Sequence, residues 1–301
     1  MNKWQRLAAV ASAEIILAAC VALVLVANLF AEVMLHNPTD ERFRSPAQPS
    51  LTGYQQITLN TQDRVRLSVW YLPPQNGATV VLLHGYKADH AQMLPIAAML
   101  VRHGYGVILP DLRGHGQSEG ELITFGYHEW RDVDVVYQYL IAQPDVDAER
   151  IGVLGNSMGG AIAILYAAEN PKVKTTVAQS PYASLHDMVG TNVKRVINWP
   201  PFPLAPTILF LAERKAGFQA EALAPIRHIR QISPRPVFIM MGGKDTWANP
   251  EGGWQLYAAA GEPRELWFDS ELEHLEFSEK RADEFEQRAV AFFDKYLLNK
   301  P

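Results

Sequence analysis

The chain carries its apolar residues in two different patterns. From Leu7 to Ala31 the only charge is Glu14, and from Ile15 to Ala31 there is none. From about Leu51 the apolar residues come instead in short runs separated by amphipathic or alanine-rich stretches. Tyr54 to Leu59 and Val65 to Tyr71 read as an antiparallel pair joined by polar residues. Buried-strand runs follow at Thr79–Leu83, Gly106–Leu109, Ile151–Leu154, Thr175–Ala178, Val237–Met241 and Glu265–Phe268. Between them, helices are expected at His90–Arg102, Tyr127–Gln143, Met158–Glu169, Pro250–Ala260 and Ser278–Leu298. Strand alternating with helix predicts parallel strands joined by right-handed crossovers, hence an α/β fold with a doubly wound sheet. Pro181 to Pro236 is far longer than the roughly dozen residues one crossover needs. The surplus, about 186–220, is expected to form a small helical cap. Its apolar middle makes Trp199, Phe202 and Phe210 candidate pocket residues.

The first pattern predicts an N-terminal segment, 1–35, distinct from the body. Ile15 to Leu35 would make a helix roughly 31 Å long, about the hydrocarbon thickness of a bilayer. Three readings fit: an uncleaved transmembrane anchor, a cleaved signal peptide, and a lipoprotein signal. The last arises because Leu17-Ala18-Ala19-Cys20 resembles a lipobox. The anchor is preferred, since no clear cleavage site follows and the chain stays apolar after Cys20. Lys3 and Arg6 before the run favour a cytoplasmic N-terminus, placing the body on the extracytoplasmic side. Residues 36–50 hold Pro38, Pro46 and Pro49 among polar neighbours and read as a linker. The body is then 51–301, separate from its anchor.

Charge and composition narrow the chemistry. The net charge of -5 over 301 residues offers no phosphate-binding surface, so nucleic acid is not an expected partner. One cysteine, Cys20, excludes an internal disulfide framework or cysteine metal cluster. No zinc-site spacing or dinucleotide-binding glycine turn stands out, so no metal or cofactor is expected.

Ile151-Gly-Val-Leu-Gly155-Asn156-Ser157-Met158-Gly159-Gly160 reads as strand, G-x-S-x-G, then helix. That context is a nucleophile elbow, in which a sharp turn lifts a serine hydroxyl above the sheet edge. Ser157 needs a base, and the base needs an acid to orient it. His274 follows the last strand and Asp245 follows the Val237–Met241 strand, which puts both at the same carboxyl edge. Asp269 is the reserve acid. The oxyanion formed on attack needs two backbone N–H groups. Met158, next to the nucleophile, and Tyr86, beyond the first parallel strand, are the candidates. His84 is expected to brace its loop, and the Asp111–Ser118 stretch to form a self-contained polar network.

The body resembles the serine-hydrolase branch of the α/β-hydrolase superfamily, particularly small-capped esterases and monoacylglycerol-lipase-like or aminopeptidase-like members. The resemblance rests on His84-Gly85-Tyr86, the Asp111 to Ser118 stretch, Gly155 to Gly159, Gly242 to Asp245 and His274. Glu273 stands where such proteins often carry glycine. The resemblance implies an eight-stranded, mostly parallel sheet whose second strand is antiparallel. It implies the chain order Ser157, Asp245, His274, ester hydrolysis through an acyl-enzyme, and no cofactor. The expected substrate is a small-molecule ester or lipid-like compound of short to medium acyl length. An aminopeptidase-like amide hydrolase is the alternative, with Glu213 as the acid for a substrate amine. A membrane-tethered binding module on the same fold is a third reading.

Overall fold

The computed structural model describes residues 3–37 and 53–300. The expected linker prolines, Pro38, Pro46 and Pro49, lie outside the described residues. A single sheet organises the body. Its strands are β1 (Gln55–Asn60), β2 (Arg66–Leu72), β3 (Thr79–Leu83), β4 (Gly106–Pro110), β5 (Ile151–Asn156), β6 (Thr175–Gln179), β7 (Val237–Gly242) and β8 (Arg264–Asp269). They lie in the order β1-β2-β4-β3-β5-β6-β7-β8. β2 runs antiparallel to both neighbours, and β3 to β8 are parallel. This is the eight-stranded α/β-hydrolase sheet, with each strand within two residues of the run that predicts it.

Side chains of the central strands alternate between two cores, as the period of a strand requires. Val81 and Leu83 of β3 join one cluster, while Val80 and Leu82 join the other. The helices covering these faces are α2 (Leu94–Arg102), α3 (Glu129–Ile141), α4 (Met158–Glu169), α5 (Leu185–Ile197), α6 (Leu204–Ala216), α7 (Pro225–His228), α8 (Pro250–Ala259), α9 (Phe277–Lys280) and α10 (Ala282–Leu297). α4 is buried on nearly every side, and its glycines and alanines let it lie close against β5 and β6. α5 and α6 form the cap in the long β6–β7 connection.

Two expected helices are broken. His90–Met93 is a tight 3-10 turn capped by the Asp89 side chain, and α2 begins only at Leu94, with Pro95 in its first turn. The C-terminal helix is interrupted at Arg281, whose φ of -129° separates α9 from α10.

The N-terminal run forms α1 (Lys3–Leu35), with a mean hydropathy of 2.6 over its most apolar stretch. It is long and apolar enough to cross a membrane. It is not, however, detached from the body. Ala27, Ala31, Met34 and Leu35 are buried in the same core cluster as β3 and α4. Leu23, Ala27, Phe30, Ala31 and Met34 fall on one side of the helix and form its docked face. Small side chains at Ala27 and Ala31 permit close packing, and α6 is the main neighbour. The Lys215 ammonium pairs with Glu32 at 2.6 Å, and the Ile123 N–H donates to the Leu35 carbonyl at 2.7 Å. The expected division between anchor and body near residue 36 is therefore corrected. The helix leaves the body at Ala27, and the span from Ala9 to Val26, roughly 27 Å, projects with almost every side chain exposed.

This boundary predicts a graded response to truncating side chains along α1. Leu35→Ala, fully buried, should lower the unfolding free energy by about 2–5 kcal/mol. Leu25→Ala, at 65% exposure, should change it by less than about 0.5 kcal/mol. Denaturant unfolding in mild detergent measures both, and equal losses would mean the helix does not dock as described.

Candidate active site

The site begins with a backbone that the local sequence is built to tolerate. Ser157, between β5 and α4, has φ 53° and ψ -114°, a strained conformation for a residue with a Cβ. Its N–H donates to the Gln179 carbonyl at 2.8 Å, and its carbonyl accepts from the Ala161 N–H at 3.1 Å. The turn is so tight that a Cβ on Gly155 would lie 2.1 Å from the Gly159 oxygen. One on Gly159 would lie 2.2 Å from the Leu83 oxygen of β3. Only glycine fits at either position, so the G-x-S-x-G pattern is a steric requirement of the turn.

Across the same sheet edge, Asp245 follows β7 and is buried. One carboxylate oxygen accepts from the Trp247 and Ala248 N–H groups at 2.8 and 2.9 Å. The other accepts from Nδ1 of His274 at 2.6 Å. Because the carboxylate can only accept, Nδ1 carries the proton and Nε2 is the free basic position. The loop bearing His274 is held by Gly243 and Lys244 N–H groups bonding to the carbonyls of Asp269 and Leu272 at 2.7 and 2.9 Å. The reserve acid, Asp269, is committed elsewhere, since it pairs with Arg281 at 2.9 Å. Glu273 is exposed and its N–H bonds to Glu276.

Ser157 lies on the wall of a cavity of about 270 Å³, together with Tyr86 and Met158. Trp247 also lines it, with its ring 6.2 Å from that of His274. His84 is fully buried and does not reach this space. Its Nε2 accepts from the Leu112 N–H at 3.0 Å, while Nδ1 donates to the Gly85 carbonyl. Burial pushes its pKa down to about 3, so the ring stays neutral and braces the loop carrying Tyr86. Asp111 is likewise absorbed in structure. It accepts from the His90 ring and N–H and from the Gln117 N–H, while Arg113 binds Asp132 and Asp63.

The predicted pocket aromatics are corrected. Trp199, Phe202 and Phe210 are 65%, 79% and 55% exposed and line no part of the cavity. On α6 it is Ile208 that faces inward, and Phe210, two residues on, points away at 100° per residue. The inward cap residues are Met188, Val189, Val193 and Val196 of α5, a spacing already legible in the sequence. Phe30, Val33 and Met34 of α1 complete the lining, and no sequence pattern marks them. Within a run that is apolar on every side, periodicity cannot mark which face is functional.

With this geometry in view, the likenesses to known proteins converge. The family described as serine aminopeptidase S33 matches residues 74–231, and the chain belongs to this family of α/β hydrolases. It is similar to the uncharacterized protein Rv2307c of Mycobacterium tuberculosis, 29% identical over 72% of this chain and 71% of that one. Protein bem46 of Schizosaccharomyces pombe is 26% identical over 69% of this chain and 66% of that one. Among solved structures, the Pyrococcus furiosus esterase Pf2001 is 26% identical with a TM-score of 0.73, covering 87% of this chain and 98% of that one. The chain is an esterase-like α/β hydrolase.

The steric account of the elbow is tested by a pair of glycine substitutions. Gly159→Ala should cost roughly 3 kcal/mol or more, because the new methyl meets strand backbone that cannot yield. Gly190→Ala, inside α5 with only Pro201 at 3.6 Å, should be neutral or stabilising by up to about 1 kcal/mol. Denaturant midpoints compare them directly.

Proposed function

We propose that the protein is a membrane-anchored serine hydrolase of carboxylic esters with short to medium acyl chains. The observation that carries this reading is the 2.6 Å bond from His274 to buried Asp245, at the sheet edge where Ser157 sits on its strained turn. In the proposed cycle, Ser157 Oγ attacks the ester carbonyl while His274 Nε2 takes its proton. Asp245 holds the imidazole tautomer and stabilises the imidazolium. The Met158 and Tyr86 N–H groups stabilise the oxyanion. Collapse expels the alcohol with the proton from His274, and water repeats the sequence to release the acid.

Several features support the ester reading over amide cleavage at a free N-terminus. An aminopeptidase needs an acid near the substrate amine. No carboxylate is among the described residues lining the cavity, and Glu213 instead accepts from the Ala220 N–H at 2.7 Å. The apolar lining suits an acyl chain, and its volume stands near the low end of small-molecule sites, about 300–1,000 Å³. For α1, the core contacts of Ala27 to Leu35 support a helix end retained in the mature protein. Lys3 and Arg6 support a body on the extracytoplasmic side.

The test is kinetic. Ser157→Ala and His274→Ala should each abolish hydrolysis of short nitrophenyl esters with little change in stability. Asp245→Asn should lower kcat by about four powers of ten by favouring the wrong tautomer. Near-normal turnover by Asp245→Asn would remove it as the orienting acid.

A further inference from the structure

The cavity over Ser157 is walled partly by a helix that lies outside the sheet-and-cap framework. Phe30, Val33 and Met34, from the last two turns of α1, face the same space as Ser157. That end of α1 is fixed in place. The Tyr86 hydroxyl donates to the carbonyls of Val33 and Met34 at 2.9 and 3.0 Å, and the Lys87 ammonium donates to Val33 at 2.7 Å. These bonds satisfy carbonyls that a helix C-terminus leaves open. They also join α1 to the loop whose Tyr86 N–H is proposed to hold the oxyanion.

The mouth of the cavity can be located from exposure. Val33 of α1 and Val196 of α5 both line the cavity, yet are 54% and 56% exposed. The opening therefore lies between α1 and the cap. Elsewhere on the cap Trp199, Phe202 and Phe210 also stand exposed. Val33, at this opening, lies on the helix whose preceding twenty or so residues are long and apolar enough to span a bilayer.

We infer that the last two turns of α1 form the acyl-selective wall of the site, and that its substrates are esters of membrane-resident amphiphiles whose acyl chain enters between α1 and the cap. This rests on the serine-esterase reading of Ser157. α1 is then a part of the site as well as a tether, and the lipid phase around it supplies the chain that the cavity binds. The polar ester end is left toward Ser157, and the acyl chain lies against Phe30 and Val33.

The full chain in phosphatidylcholine vesicles, assayed with nitrophenyl acetate and nitrophenyl octanoate, tests this. Val33→Trp should lower the octanoate-to-acetate ratio of kcat/KM about tenfold, what losing the burial of about two methylenes costs. Phe30→Ala should move the ratio the opposite way. Leu29→Trp, on the exposed face away from the cavity, controls for bulk added to α1 and should leave the ratio as in wild type. An unchanged ratio in both cavity variants, or an equal shift in all three, overturns the inference while leaving the esterase reading intact. A wild-type chain that cleaves neither ester overturns the esterase reading and the inference with it.

Discussion

The site depends on one steric constraint, the closeness of α4 to the ends of β3 and β5. Ser157 is held in a backbone conformation that costs on the order of 1–3 kcal/mol, and it persists only because its surroundings leave no alternative. The first turn of α4 presses so near the strands that Gly155 and Gly159 have no room for a Cβ. The same closeness aims the N-terminal end of a helix, with its open N–H groups and positive dipole end, at the point where negative charge would develop. α4 can lie there because it is small-faced and apolar all round, so both sheet and flanking helices pack against it.

Around that fixed serine, each remaining group is positioned by a polar partner buried with it. Asp245 spends one oxygen on two N–H groups of its own turn and the other on His274, so the acid cannot rotate away. His84, kept neutral by burial, ties β3's loop to Leu112. Tyr86 extends from that loop to the end of α1. The transmembrane-length helix and the Tyr86 loop are thus successive links in one hydrogen-bonded chain, which is why the boundary of the packed body falls inside α1.

Much of this was legible in the chain. Short apolar runs marked β3 to β7, because parallel strands covered on both faces must be apolar throughout. The elbow was legible because its glycines are sterically obligatory, and Asp245 and His274 because strand ends fix them to one edge. The missing parts share a physical cause. Phe30, Val33 and Met34 lie in a run whose few polar residues, such as Asn28 and Glu32, do not set apart an outer face. Composition alone points to Trp199, Phe202 and Phe210 as lining, whereas the first two precede α6 on the exposed cap surface and α6 periodicity turns Ile208 inward instead of Phe210. The break at Arg281 is set by local backbone geometry that the apolar spacing of α9 and α10 does not express.

The central claim is that Ser157 is the nucleophile activated by the His274–Asp245 pair. Reaction of the folded full chain with a fluorophosphonate, followed by peptide mass mapping, tests it most directly. The account predicts a single phosphonylated residue, Ser157, with labelling lost on prior denaturation and strongly slowed in His274→Ala. Ester hydrolysis by a chain whose Ser157 stays unlabelled, or a label carried by a different serine, would contradict it.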